Sequence, residues 1–82
     1  MPTPPDQIIV RLYVVPQCPL CAQARDWLNA HGISYVEHDV ANNFGALRRM
    51  YELTRQGLVP VFEIGGQALV RPDDKQLIEL LL

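Results

Sequence analysis

Residues 8–21 read IIVRLYVVPQCPLC, from Ile8 to Cys21. The first eight are mostly apolar and β-branched, which is typical of a central strand covered on both faces. After Pro16 and Gln17 a helical pattern begins at two cysteines, the only two in the chain. The stretch therefore predicts a strand that leads directly into a helix, with both thiols at the junction.

The residues that follow the cysteines complete a strand–helix–strand unit. Apolar side chains recur at helical spacing, at Leu20, Ala24, Trp27 and Leu28. His31-Gly32 is a helix stop signal, and Ile33–Val40 has the mixed β-forming pattern of a second strand. Because these elements span only about thirty residues, we expect a βαβ unit with parallel strands.

A second helix is predicted to begin at Asn42 or Asn43, either of which can cap it, and to end at Gly57. We expect one face of this helix to carry Leu47, Met50, Tyr51 and Thr54. Two further strands, 59–64 and 67–70, flank Gly65-Gly66, a two-residue hairpin signal.

The last helix follows Asp73 and Gln76, which have the spacing of a capping box. The element order is βαβαββα. We therefore predict an α/β domain over residues 8–82, with a four-stranded mixed sheet and helices on both faces, preceded by a flexible tail over residues 1–7.

The two cysteines are expected to differ in reactivity. With Cys18 at the N-cap, Pro19 occupies the first helical position, where proline is favoured. The backbone N–H groups of Leu20 and Cys21 then point at the Cys18 sulfur and stabilise its thiolate. Cys21 falls on the apolar face of the helix. We predict that Cys18 attacks a substrate disulfide and that Cys21 resolves the mixed disulfide.

Other interpretations of the pair remain open. The cysteines could be inert, or joined in an incidental bridge worth roughly 2 kcal/mol for so short a loop. Zinc would need four ligands, and His31 and His38 are the only other candidates with nitrogen, at an unusual spacing. A non-enzymatic module could use the same pair to share a metal or cluster between two chains, or to sense oxidation.

Composition excludes several classes of function. The 82 residues are 49% hydrophobic and 20% charged, with a net charge of −2, so we expect neither nucleic acid nor an acidic membrane surface as a partner. No apolar run approaches the ~20 residues that span a bilayer. The N-terminus lacks the basic and apolar regions of a signal peptide. With only two cysteines, a cytoplasmic location is the expectation. We also expect a monomer.

Three segments resemble the glutaredoxins of the thioredoxin superfamily, and the resemblance extends over residues 8–82. Residues 13–21, YVVPQCPLC, are similar to the active-site segment in which Cys-Pro-x-Cys follows the first strand. Residues 58–62, LVPVF, are similar to the segment whose proline is cis in that superfamily. Residues 70–74, VRPDD, stand where glutaredoxins have a glycine-rich turn and an acidic residue before the last helix.

The resemblance implies an activity and a set of site residues. It makes Cys18 and Cys21 the catalytic pair of a dithiol–disulfide oxidoreductase acting on protein disulfides or glutathione mixed disulfides. It implies that the residues which dock substrate or glutathione are Val59, Pro60, Arg71 and Asp73. No cofactor is implied to be bound; glutathione would be the co-substrate, or thioredoxin reductase, a flavin-dependent enzyme, the electron donor. Pro60 could instead be trans at the start of an edge strand, and Asp73 could serve only as the N-cap.

The sequence departs from the glutaredoxin pattern where glutathione would bind. Val15 stands in place of a lysine that holds a carboxylate of the tripeptide, Leu20 replaces an aromatic residue, and Leu58 replaces a threonine. Arg71-Pro72 replaces the Gly-Gly of the last turn, as in glutaredoxin-like hydrogen donors reduced by thioredoxin reductase. We therefore predict weak use of glutathione, unless one of three helix arginines binds the carboxylate rather than only facing solvent: Arg48, Arg49 or Arg55.

Overall fold

The computed structural model describes residues 9–82, so the predicted flexible tail over residues 1–7 lies outside the described residues. The elements follow the predicted order βαβαββα. They are β1 (Val10–Val14), α1 (Pro19–Ala30), β2 (Val36–Asp39), α2 (Phe44–Thr54), β3 (Val61–Ile64), β4 (Gln67–Val70) and α3 (Asp74–Leu81).

The four strands form one mixed sheet in the order β2-β1-β3-β4. Strands β1 and β2 are parallel, as the βαβ pattern predicts, and β3 is antiparallel to both β1 and β4. The register places Leu12 opposite Phe62 and Arg11 opposite Glu63. Because side chains alternate along a strand, these two pairs occupy opposite faces of the sheet.

Helices cover both faces of the sheet. Helix α2 lies on the face of Glu63, whose carboxylate binds Arg49 of that helix. Helices α1 and α3 border the face of Phe62. The core between these layers is apolar and includes fully buried Leu12, Leu28, Met50, Val61 and Phe62, so the hydrophobic effect holds the layers together.

Local signals set most of the boundaries. The side chain of Asn43, one of the two predicted caps, accepts a bond from the Ala46 N–H at 3.0 Å and begins α2. Gly65 and Gly66 both have positive φ in the predicted hairpin. Left-handed backbone of this kind costs glycine nothing, because it has no Cβ.

Several predicted boundaries are wrong. Strand β2 begins at Val36 rather than Ile33, because the Ile33 N–H bonds back to Leu28 at the end of α1. Helix α2 ends at Thr54 rather than Gly57: Arg55 adopts the left-handed conformation and caps it.

The remaining differences concern β1, β3 and the face of α2. Strand β1 begins at Val10, so Ile9 lies outside it, and the predicted start at Ile8 falls outside the described residues. Strand β3 begins at Val61, just after Val59 and Pro60. Tyr51, expected on the inner face of α2, is 53% exposed.

Candidate active site

Cys18 is the N-cap of α1, at the carboxyl end of β1. Its backbone is extended and Pro19 occupies the first turn, as predicted. The Cys21 N–H donates a hydrogen bond to Cys18 Sγ at 3.2 Å, and the Ala22 N–H donates to the Cys18 carbonyl at 3.0 Å. The Cys18 sulfur therefore accepts from the unpaired, positive end of a helix.

The two thiols lie in different environments. Cys21 is completely buried, on the same face of α1 as Ala24 and Leu28, whereas Cys18 is only partly buried. The structure has both as free thiols. The partly exposed Cys18 sulfur can therefore meet a substrate, whereas the Cys21 sulfur is shielded by the surrounding protein.

Burial and hydrogen bonding move the two pKa values apart. Burial raises the pKa of Cys18, but hydrogen bonds from the Cys21 thiol and from the N–H groups of Cys21 and Leu20 outweigh it. With the charge of Arg71 added, the pKa of Cys18 lies below its ordinary value. Burial and the hydrogen bond to Cys18 raise the pKa of Cys21 to about 11. Cys18 is therefore the more readily ionised of the two thiols.

Val59 and Pro60 lie beside this junction, and the peptide bond between them is cis, as predicted. Arg71 binds this segment twice. Its backbone N–H donates to the Pro60 carbonyl at 3.0 Å, and its side-chain Nε donates to the Val59 carbonyl at 2.9 Å. Arg71 thereby links the end of β4 to the segment before β3 and brings a positive charge towards Cys18.

The backbone conformation of Arg71 is one that favours glycine, the residue type that glutaredoxins have in this turn. Arg71 has φ +48, in the left-handed region, where a residue with a Cβ is disfavoured by about 1–2 kcal/mol. Glycine avoids this cost. Arg71 offsets it with the hydrogen bond to Val59. Sequence reasoning took the helix end as the main source of acidity for Cys18 and missed this contribution from Arg71.

Asp73 is the N-cap of α3. Its Oδ1 accepts from the Gln76 N–H at 2.8 Å, and Gln76 Oε1 accepts from the Asp73 N–H at 3.0 Å. The predicted capping box is therefore present. The structural role of Asp73 is confirmed; its predicted contact with glutathione stays a prediction.

The helix arginines differ in what they can offer a ligand. Arg49 donates hydrogen bonds to the buried carboxylate of Glu63 through both its Nε and Nη2. Its guanidinium is therefore engaged in holding α2 against the sheet. Arg48 and Arg55 are exposed, and Val15 is half-buried. Of the three arginines considered as substitutes for the missing lysine, Arg49 is the one that the structure shows to be engaged.

A buried polar cluster beneath α2 escaped the sequence analysis. The Tyr13 hydroxyl, buried with its ring, donates to Glu63 Oε1 at 2.6 Å. Burial and this bond raise the pKa of Tyr13 to about 12, while hydrogen bonding from Arg49 lowers the pKa of Glu63. The available signal was Glu63 itself, a charged residue within an apolar strand, since a buried charge requires partners.

Both histidines contact neighbouring protein side chains. His31 caps the end of α1 and stacks on Trp27 with ring centroids 4.0 Å apart. His38 stacks on Tyr13 and lies 3.2 Å from an Arg11 nitrogen. Across the part of the chain that the structure describes, no three His, Cys, Asp or Glu side chains come together as a possible metal site. Within residues 9–82, no helix is long and apolar enough to cross a membrane.

Comparison with known proteins agrees with the geometry. The family profile described as Glutaredoxin matches residues 10–69. A glutaredoxin-like protein of the rubredoxin operon of Clostridium pasteurianum is 27% identical over 73 residues, 89% of this chain and 97% of the relative.

Solved structures are similar over most of the chain. The thioredoxin-like protein BC3987 superposes with a TM-score of 0.81 at 25% identity, covering 88% of this chain and 99% of the other. A glutaredoxin from Archaeoglobus fulgidus superposes with a TM-score of 0.79 at 18% identity, covering 88% of this chain and 84% of the other. At that identity the second likeness concerns the fold alone.

Proposed function

The chain belongs to the glutaredoxin family, and we propose that within it the protein acts as a dithiol–disulfide oxidoreductase through Cys18 and Cys21. The observation that carries this proposal is the 3.2 Å hydrogen bond from the Cys21 N–H to Cys18 Sγ, with the Cys21 thiol completely buried. One sulfur is accessible and acidified, and the other is shielded and protonated. A resolving mechanism needs this asymmetry.

The proposed reaction has two exchange steps. The Cys18 thiolate attacks one sulfur of the substrate disulfide, a new bond forms to Cys18 Sγ, and the other substrate sulfur leaves as a thiolate that takes up a proton. Cys21 then loses its proton and attacks Cys18 Sγ, which releases the second substrate thiol. The substrate gains two electrons and two protons, and the protein ends with a Cys18–Cys21 disulfide.

We further propose that substrates dock along Val59 and Pro60, in the manner of an added β-strand. The Val59 carbonyl already accepts from Arg71, but a carbonyl oxygen has two lone pairs, so a substrate N–H can share it. The Arg71 guanidinium can also form an ion pair with a carboxylate of the substrate. For glutathione, the second carboxylate oxygen of Asp73 accepts from the tripeptide's amino group.

A two-electron donor must return the protein to the dithiol state, and its identity is testable. Two molecules of glutathione or a flavin-dependent reductase could each supply the electrons. Val15 offers no charge where the family's lysine would stand, so glutathione is expected to be the poorer donor. Oxidised protein supplied in parallel with glutathione plus glutathione reductase, or with thioredoxin reductase, should turn over faster with the latter.

A trapping experiment tests the proposal. Cys21→Ser should accumulate a mixed disulfide between Cys18 and a protein substrate, visible by mass spectrometry and released by an added thiol, while Cys18→Ser should form none. Trapping in Cys18→Ser, or equal activity of Cys18→Ser and the wild type, would reject the mechanism. The metal- or cluster-binding alternative stays a prediction, tested by the colour and metal content of the purified protein.

A further inference from the structure

A groove between α1 and α3 begins at Leu20, two residues after Cys18. It has a volume of about 170 Å³. The apolar part of its lining includes Leu20, Ala24, Trp27, Pro60, Phe62 and Leu77, and Gln23, Arg71 and Asp74 supply the polar part. Three of these side chains are almost completely buried and form the bottom: Ala24, Phe62 and Leu77. We call this feature the α1–α3 groove.

The α1–α3 groove is continuous with the docking edge. Leu20 lies between the two cysteines in sequence, and Pro60 directly follows Val59. Arg71, which binds the Val59 carbonyl, also lines the groove. A substrate held by its cysteine at Cys18 and by its backbone at Val59 must therefore pass the mouth of the groove.

We propose that the α1–α3 groove is a specificity subsite that receives one aromatic side chain of a protein substrate, two residues from the cysteine that Cys18 attacks. This proposal rests on the proposed function and names its substrate class. In an extended strand the side chains at i and i±2 project from the same side, about 7 Å apart. A cysteine directed at Cys18 therefore sends the side chain two residues away towards the same surface of the protein.

Size and lining favour an aromatic occupant. An apolar cavity of ~150 Å³ is sufficient to bind benzene, so a groove of about 170 Å³ fits one aromatic ring. The indole of Trp27 offers it an aromatic partner, and Leu20, now 43% exposed, would lose contact with water. Glutathione has no apolar side chain and would leave this lining uncovered.

Wild-type protein with symmetric peptide disulfides provides the test. Each substrate is a disulfide-linked homodimer of a short peptide with one cysteine, so attack at either sulfur gives the same products. One peptide has Phe two residues before the cysteine, one has Phe two residues after it, and two matched peptides have Ala there. Burial of most of a Phe ring predicts about tenfold higher kcat/KM for one of the Phe peptides over its Ala counterpart.

Two alanine substitutions on α1 test whether the groove causes the preference. Ala24→Met fills the bottom of the groove and should bring the Phe/Ala ratio to about one, whereas Ala30→Met, on the exposed end of the same helix, should leave the ratio unchanged. Trp27 is the chain's single tryptophan. Its fluorescence should therefore change when Cys18→Ser binds the preferred reduced peptide, and change less with the Ala peptide.

The outcomes separate this proposal from the function beneath it. Equal kcat/KM for the Phe and Ala peptides at both positions would overturn the subsite and leave the oxidoreductase intact. A preference that persists in Ala24→Met would overturn the groove as its cause. Failure to turn over any peptide disulfide would remove the proposed function and the subsite with it. If Ala24→Met does not fold, the wild-type comparison alone decides.

Discussion

Alkylation of the folded, reduced protein near neutral pH is predicted to modify Cys18 far faster than Cys21. A thiol with a pKa of about 11 is roughly 10⁻⁴ ionised at about pH 7, whereas a thiol with the reference pKa of 9.0, below which the pKa of Cys18 is lowered, would be about 1% thiolate. Cys18 should therefore be more than about 1% thiolate. The thiolate fractions of the two cysteines differ by at least about 100-fold.

The intrinsic nucleophilicity of the two thiolates reduces this ratio. A less basic thiolate is a weaker nucleophile, with a Brønsted coefficient of about 0.4–0.5, which removes about tenfold over this pKa difference. Cys18 should therefore react at least about tenfold faster than Cys21, before the greater exposure of Cys18 is counted. Both cysteines fall in the tryptic peptide Leu12–Arg25, so fragmentation of that one peptide assigns the position of the label.

Limiting iodoacetamide, followed over time, gives the two rates in the wild type. Cys21→Ser should keep the fast phase and Cys18→Ser should keep only the slow one, because burial of Cys21 persists without Cys18. In concentrated guanidinium chloride the two cysteines should react at similar rates, since the difference depends on the folded helix end. Labelling of Cys21 as fast as Cys18 in the folded protein would refute the assigned roles.

Two of three further predictions concern the stability of the folded protein, and one concerns its use of glutathione. Tyr13→Phe removes the buried hydroxyl that donates to Glu63 at 2.6 Å and should lower the free energy of unfolding by about 1.5–3 kcal/mol, whereas Tyr51→Phe, at an exposed site, should have almost no effect; equal urea midpoints would contradict this. Val15→Lys should raise kcat/KM for a glutathione mixed disulfide about tenfold or more, mainly through KM, and an unchanged KM would mean that another cation already binds the carboxylate. Burial lowers the pKa of His38, so below about pH 6.5 the unfolded chain binds more protons than the folded protein, and the free energy of unfolding should decrease as the pH decreases. A urea midpoint that does not fall from about pH 7.5 to about pH 5.5, or that falls equally in His38→Gln, would contradict this prediction.

The amino-acid sequence by itself determined the features that depend on neighbours along the chain. Cys18 as N-cap with Pro19 behind it, the Gly65-Gly66 hairpin and the capping box of Asp73 were all predicted and are present. Each is fixed by backbone dihedral preferences and by hydrogen bonds that span two or three residues. The order of strands and helices followed, because these signals separate the apolar segments unambiguously.

Boundaries set by competition for hydrogen bonds were less predictable. The predicted end of α2 at Gly57 was wrong because Arg55 takes up the left-handed cap that glycine usually provides. The start of β2 was wrong because the Ile33 N–H bonds to α1 instead of the sheet. In both cases the residue type allowed either outcome.

Only the tertiary structure decided which distant side chains meet. The bond from Arg71 to Val59 crosses twelve residues, and the bond from Tyr13 to Glu63 crosses fifty. The α1–α3 groove likewise draws its lining from two helices and the segment at Pro60. Such contacts depend on sheet register and on how the helices lie across the sheet, and no local pattern encodes either. The chain's local chemistry therefore specifies its thiol pair, whereas packing specifies the charge beside that pair and the surface that a substrate would meet.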